Sequence, residues 1–484
     1  MTISFETVPA TRVPGFYAEF RARSAPSISS LVRPTCIVGQ SLSTGTATYG
    51  VPVLVLSAAH ARVLFGVGST LSHQCAAYVA NDPTAEVWAI PLEDKSSGTA
   101  ASGTITFSGT TTGAGEFRFS IAGREVVVPI ASGSDATAQA AAAKAAINAV
   151  TDLPVTADNT AGVLTNTCRH KGTVGNQIKT YRDTSVDLPA GASAPVIVQL
   201  ASGATDPDDD GITEMGTQEF DAIALALADS TNLTNWKTAI VERWGPTVLS
   251  FGQVFACVAD TVSNLASFGA ARNNAYEGIL GQVSPYSPAY EVASAYAGAC
   301  MARLRNDPAA NLNGVTVKGI RGPDYADALS YAERSVLLNA GISTYTVDRD
   351  GTMRIDRPIT TYQTDPSGSP DESWLDLQTP FSVARFTRRM KARVARVQSG
   401  AKLADDGAPV GGGQNIVTPR YMRAEILSEY AAMEADGLVE DPDGFDAELV
   451  VERNGSDPQR LDIFFPPNWV NQYLVTGSVV SFER

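Results

Sequence analysis

Six basic side chains, Arg385, Arg388, Arg389, Lys391, Arg393 and Arg396, crowd into twelve consecutive positions, and no acid lies between Asp376 and Asp405. At that density guanidinium and ammonium groups can grip carboxylates or phosphates through charge-assisted hydrogen bonds. They make and break no covalent bond, so the chemistry on offer is recognition. Residues with a reactive repertoire are few. His60 and His73 fall in or near an apolar helical pattern and read as packed side chains, while His170 sits in the charged run Arg169-His170-Lys171. There is no HExxH, no paired Cys/His spacing and no GxSxG elbow, so neither zinc hydrolysis nor a serine nucleophile is indicated. Asp206-Pro207-Asp208-Asp209-Asp210-Gly211 begins like an EF-hand loop, but Thr217 stands where a bidentate Glu is needed. It reads better as a flexible acidic linker that caps the next helix. Gly66, Gly68 and Ser69 lack the lysine of a phosphate loop and read as close helix packing. No catalysis, cofactor or metal is expected.

The basic residues need an element to aim them. Thr379 and Pro380 read as an N-cap followed by a first-turn proline. On the helix they start, Val383, Phe386, Met390, Val394 and Val397 recur at core-facing spacing. Arg385, Arg388, Arg389 and Arg396 fall opposite, with Lys391 and Arg393 on the flanks. One face is thus expected to be held by the protein and the other offered to something acidic; a solvated surface helix is the competing reading.

That helix is a basic island in a chain of 484 residues with net charge −15. The acidic balance argues against a general nucleic-acid binder, because phosphate contacts need basic surface. No run of apolar residues is long enough to span a membrane, and the N-terminus shows no secretory pattern. Cys36, Cys75, Cys168, Cys257 and Cys300 are odd in number and widely spaced, which suits buried thiols in a reducing cytoplasm.

The pattern along the chain predicts an α/β (α+β) multidomain protein. Residues 1–24 read as an arm: Pro9 and Pro14 forbid a helix, while Ile3, Phe5 and Val13 have no local core. Residues 25–95 alternate strand, helix (58–80) and strand. Residues 96–203 turn Thr-, Ser- and Gly-rich, with short strands and one alanine-rich helix over 136–150, as expected of an inserted β-rich domain. Residues 204–341 alternate strands and helices like a small open sheet, without the GxGxxG of a dinucleotide site. After a hairpin around Asp348-Arg349-Asp350-Gly351 and the basic helix come a second helix from Thr418-Pro419 and two strands, over 447–453 and 460–465, joined at Asn454-Gly455. The last element expected is a long strand over 472–482, carrying Tyr473, Val475, Val479 and Phe482.

The segment RVPGFYAEF (12–20) resembles the opening of contractile-tail sheath proteins, in particular those of Mu-like phages and prophages. The resemblance runs along nearly the whole chain. It is densest in GISTYTVDRDGTMRIDRPITTYQT (341–364), KLADDG (402–407), IVTP (416–419) and LVVERNGSDPQRLDIFFPPNWVNQYLV (449–475), four blocks in the family's order.

The resemblance implies a non-enzymatic subunit of the virion tail, assembled in the host bacterial cytoplasm. Copies would form hexameric rings stacked helically around a tail tube, with baseplate and tail terminator proteins as further partners. Neither nucleic acid nor direct membrane insertion is implied. It places a core in 25–95 together with 342–484, makes 96–203 an outward-facing insert and 204–341 a middle α/β domain. Ile3, Phe5, Val13, Phe16, Tyr17 and Phe20 at one end, and Tyr473, Val475, Val479 and Phe482 at the other (arm 472–484), would be arm strands added to neighbouring subunits. The six basic residues of 385–396 would face the tube. Rival readings are a soluble enzyme built on the middle domain, a surface adhesin using the insert, and another tail or baseplate component.

Overall fold

The computed structural model describes residues 34–207, 211–407 and 415–483. β1 (Thr35–Gln40) is buried along its whole length, as in a strand covered on both faces. Behind it come β2 (Val53–Val55), α1 (Ala58–Phe65), α2 (Thr70–Asn81) and β3 (Val87–Leu92). The single helix expected over 58–80 is therefore two. Gly66 and Gly68 adopt φ of +84° and +82°, a conformation that ends α1 and that few L-residues tolerate. Ser69 then caps α2 by accepting the Ser72 N–H at 3.1 Å.

An insert follows β3. It contains β4 (Ala100–Thr106), β5 (Gly115–Ile121), β6 (Arg124–Ile130), α3 (Ala136–Ala149), β7 (Val155–Thr160), β8 (Val163–Lys171), β9 (Thr180–Arg182) and β10 (Val196–Ala201). The strands form two sheets, β10-β4-β8-β7 and β6-β5-β9. Phe107, Phe117, Phe119, Val128 and Ile147 close a hydrophobic cluster that is separate from those of the rest of the chain.

The chain then returns to the first unit. α4 (Gly211–Glu214), β11 (Ala222–Leu225), α5 (Ser230–Arg243), β12 (Gln253–Ala259), α6 (Val262–Ala270), β13 (Glu277–Gln282), α7 (Ala289–Leu304) and α8 (Tyr331–Asn339) follow in order. β1 pairs in parallel with both β3 and β11, giving the six-stranded order β13-β12-β11-β1-β3-β2, with β2 antiparallel at one edge. α2 packs on β1, α7 packs on β11 and β12, and the two helices lie against each other. Their approach needs Gly298, where a Cβ would meet the Tyr78 carbonyl at 2.7 Å. Helix α8 is started by Ser330 and Glu333, which form a capping box.

β14 (Thr344–Val347) and β15 (Met353–Arg357) make the expected hairpin, and Tyr345, Val347, Met353 and Ile355 belong to the same cluster as the six-stranded sheet. This corrects the separation of 204–341 as a middle domain apart from 25–95, and divides 342–484 between two clusters. β1 and β3 sit inside the sheet completed by β11–β13, and the hairpin joins that unit too. The insert separates β3 from β11 in sequence, and the apolar pattern of β1 does not say which strand lies beside it.

The last unit has its own cluster, built by Phe386, Met390, Ile426, Tyr430, Met433 and Phe445. Its elements are α9 (Gln378–Gln398), β16 (Lys402–Leu403), β17 (Ile416–Val417), α10 (Pro419–Ala435), β18 (Val439–Glu440), α11 (Pro442–Glu448), β19 (Val450–Arg453), β20 (Leu461–Phe464) and β21 (Asn468–Trp469). Helix α11 lies where part of a strand is expected, because Asp441 caps the Gly444 N–H and Pro442 follows it. β19 and β20 form a two-stranded sheet. The strand expected over 472–482 is not formed: beyond β21 the described chain has no regular structure. Tyr473, Val475, Val479 and Phe482 are 75%, 82%, 96% and 86% exposed.

Candidate functional site

Helix α9 is a strut between two cores. Phe381 near its start belongs to the cluster of the six-stranded sheet, while Phe386 and Met390 belong to the last unit, with Val394 and Val397 packed beside them. Val383 is partly buried. The helix begins at Gln378 with Leu377 as N-cap and no capping side chain, so Thr379 and Pro380 lie inside its first turn. Proline is tolerated there because its missing N–H has no helical acceptor.

The basic face is largely occupied by the chain's own acids. Arg388 binds Asp221 at 2.5 Å and also Glu219, and its guanidinium lies 5.2 Å from the centre of the Phe251 ring. Burial works against this charge, but Asp221 and Glu219 outweigh it and hold the guanidinium above its usual pKa. Arg389 binds Glu429 at 2.7 Å and also Asp436. Arg393 binds Glu425 at 2.8 Å, and Arg396 reaches the same carboxylate at 3.6 Å while its side chain stays 65% exposed. Arg385 donates to the carbonyls of Arg305 and Asn306 at 3.4 and 3.3 Å. Lys391 is exposed and has no ion pair among the described residues. The expectation of a whole face left free for an external acid is thus corrected for Arg388, Arg389 and Arg393, whose charges are met inside the chain. A signal for this existed in the sequence. Glu425 and Glu429 on the next helix repeat the four-residue spacing of Arg389 and Arg393.

The histidines are junction residues. Nε2 of His170 accepts the Thr70 N–H at 3.2 Å, so its Nδ1 donates to Asp94 at 2.8 Å. Gln40 and the Lys171 N–H bind the same carboxylate at 2.7 and 2.9 Å. His73, 3% exposed, bonds the Asp152 carbonyl at 2.9 Å and lies 3.5 Å from Glu291, which also binds Arg124 at 2.8 Å. Arg62 holds Asp152 at 2.9 Å. These contacts tie the insert to α1, α2 and α7. Burial alone would raise the pKa of Asp94 and of Asp152. A hydrogen bond from His170 for the first, and one from His73 together with the Arg62 guanidinium for the second, hold both below the usual carboxylate range. His60 accepts the Leu56 N–H at 3.2 Å.

Asp206 is engaged within the chain. Its carboxylate takes the Thr173 N–H at 2.6 Å and the Thr173 hydroxyl at 2.7 Å; positions 208–210 lie outside the described residues. No group of three or more His, Cys, Asp or Glu among the described residues could hold a metal ion. All five cysteines are buried and none is in a disulfide, and no helix among the described residues is long and apolar enough to cross a membrane. Of the two arms, Ile3, Phe5, Val13, Phe16, Tyr17 and Phe20 lie outside the described residues. The C-terminal arm touches the body where Asn311 donates to the Tyr473 carbonyl at 2.8 Å and Gln472 donates to the Ala309 carbonyl at 3.2 Å.

Residues 202–361 match the family described as the phage tail sheath protein central domain. Over its full length the chain is 33% identical to the Mu-like prophage FluMu tail sheath protein of Haemophilus influenzae, covering 100% of both chains. Among solved structures, a sheath tail protein of Desulfitobacterium hafniense is 11% identical, with 94% of this chain and 97% of that one covered at a TM-score of 0.49. The anti-feeding prophage helical sheath in its contracted state is 12% identical, with 98% and 99% covered at a TM-score of 0.45.

Proposed function

The chain belongs to the phage tail sheath protein family, and on that premise we propose that it is the structural subunit of a contractile sheath. Copies stack as hexameric rings around a tail tube, between a baseplate and a tail terminator. Contraction drives the tube through the host envelope. The subunit is assembled in the host cytoplasm and performs no catalytic step.

The observation that carries this reading is the C-terminal segment. It leaves the body after β21 with Tyr473, Val475, Val479 and Phe482 exposed, and it pairs with no strand of its own chain among the described residues. Apolar side chains do not gain by standing in water, and an unpaired extended backbone is a ready strand for another sheet. The two-stranded β19–β20 sheet has free outer edges among the described residues, and it is where a neighbour's arm would add. The N-terminal arm, with Ile3, Phe5, Val13, Phe16, Tyr17 and Phe20, is given the same role by resemblance. Backbone pairing tolerates rotation of the bodies it links, so rings can slide without separating.

We also propose that the outer end of α9 meets the tube through Lys391 and Arg396, with Arg385 at the margin. Arg388, Arg389 and Arg393 fix the helix on which those cations stand. Exposed ion pairs are worth ~0–1 kcal/mol each and are screened by salt. Such a grip can register sheath against tube and still let go, and it gains strength by repetition around a ring. Negative-stain microscopy of the purified chain, with and without its tube protein, tests the reading. Hollow tubes with a regular repeat are expected; uniform small particles in both samples would sink it.

A further inference from the structure

The loop over 316–325 and the turn of the β14–β15 hairpin line a half-open cavity of about 590 Å³. Its lining includes three cations, Lys318, Arg321 and Arg349, against two acids, Asp324 and Asp350. The acids are engaged. Asp350 takes the Thr352 N–H at 3.0 Å, and Asp324 takes the Tyr286 hydroxyl at 2.8 Å while lying 3.8 Å from Arg321. Arg321 is further held over the Tyr286 ring, 4.0 Å from its centre. Lys318 and Arg349 differ: both are exposed and neither has a carboxylate partner among the described residues.

Both cations stand on braced backbone. The Asn81 side chain bonds the Lys318 N–H and the Lys318 carbonyl, each at 2.8 Å. The turn that bears Arg349 is closed by Gly351 N–H to the Asp348 carbonyl at 2.9 Å, and Asp348 is itself held by Arg354 at 2.6 Å. The cavity is therefore preformed, and it carries surplus positive charge in a chain whose net charge is −15. A concave site of that kind concentrates negative partners and orders little on binding.

We propose that the cavity receives an acidic segment of a second copy of this chain, the stretch 440–448 that enters and forms α11. Glu440, Asp443 and Glu448 are exposed and unpaired among the described residues. They stand on a fixed support: Asp441 caps the Gly444 N–H at 3.0 Å, Asp446 holds Arg423 at 2.7 Å, and Phe445 is stacked on Tyr430 at 3.7 Å. Three free carboxylates on one rigid turn complement two free cations across one rigid cavity. The contact also relieves the repulsion that many acidic copies side by side would otherwise feel. The inference rests on the sheath reading only in requiring such copies.

Zero-length carbodiimide coupling tests it, because it joins only an amine and a carboxylate already in contact. The full chain is treated at low and at high salt, and cross-linked species are mapped by mass spectrometry. A link from Lys318 to Glu440, Asp443 or Glu448 in dimers and larger species is expected, falling about tenfold at high salt. K318E/R349E and E440K/D443K/E448K should each associate less than the wild type, while an equal mixture of the two recovers association. Chains that cross-link elsewhere but not through Lys318, chains that do not associate at low salt, or a mixture no better than its parts would overturn the inference. Microscopy of the same samples separates the two readings. Tubes lacking the Lys318 link would remove the cavity contact and leave the sheath standing. The link in small oligomers that never form tubes, even with tube protein, would do the reverse.

Discussion

Deleting 471–484 should leave the subunit folded and abolish its polymerisation. The local cost is small, because the removed stretch makes few contacts. Its described side chains Tyr473, Val475, Val479 and Phe482 are 75–96% exposed, and the loss includes the Asn311 and Gln472 hydrogen bonds. Two exposed hydrogen bonds amount to about 1 kcal/mol, so thermal melts followed by circular dichroism should superimpose within a few degrees. In the proposed assembly the same stretch would bury one face. Tyr473, Val475 and Val479 share a side of an extended chain, and burying each is worth roughly 1.5–3 kcal/mol. Strand pairing adds roughly 0.5–1.5 kcal/mol per hydrogen bond, and ordering the backbone costs about 1–2 kcal/mol per residue. The net is the small remainder of these opposing terms, and each ~1.4 kcal/mol of it is worth tenfold in association. Sedimentation velocity across a concentration series gives the threshold for large species. A truncated chain that assembles at the wild-type threshold would refute the arm argument. So would a truncated chain that melts far below the wild type, since the segment would then be part of the fold.

Three further outcomes are expected. Arg388→Met leaves Asp221, 6% exposed at its side chain, without its guanidinium, and should destabilise by about 3 kcal/mol in urea unfolding; adding Asp221→Asn should recover part of that loss, and additive effects would show the pair to be unimportant. Lys391→Glu with Arg396→Gln should weaken tube binding at low salt while leaving the melting temperature nearly unchanged, whereas Arg389→Glu, which opposes Glu429 and Asp436, should lower it; equal effects from both changes would remove the distinction drawn along α9. Asp94 and Asp152 have folded pKa values below their unfolded ones. Their contribution is therefore present above about pH 4, the unfolded value, and is lost as pH falls through the depressed folded values. Melts between pH 7 and pH 3 should show the insert loosening first on the acid side, and Asp152→Asn should flatten that dependence; a profile unchanged by the substitution would show that the carboxylate is not what responds.

Much of the local structure was legible in the residues. Helix α3 follows its alanines, α10 starts at Thr418 and Pro419 as expected, and the β14–β15 hairpin falls around Asp348-Arg349-Asp350-Gly351. Such elements are legible because periodicity and capping act within a few residues of each other. Failures fell where a local signal has two outcomes. Gly66 and Gly68 were compatible with close packing or with a break, and positive φ decided for the break. The apolar alternation over 472–482 had the form of a strand, but a strand exists only where a partner supplies its hydrogen bonds, and within one chain none does.

By itself the sequence determined the family, through four ordered blocks, and the presence of a basic amphipathic helix in an acidic chain. It also determined that this helix has an apolar stripe and that the terminal segment alternates. Which charges on the helix are free was decided only by tertiary structure. Arg388 meets Asp221 from well over a hundred positions earlier, and Arg389 and Arg393 meet Glu429 and Glu425 across an antiparallel helix pair. The same holds for β1, whose neighbours β3 and β11 lie on either side of the insert, and for His170, which reads as a surface turn in sequence and is 1% exposed against Asp94 in the fold. Side-chain type and spacing record which face of an element is apolar. Ion pairing and strand order depend on which distant elements the collapsed chain brings within a few ångströms, and that distance is set by packing rather than by position along the chain.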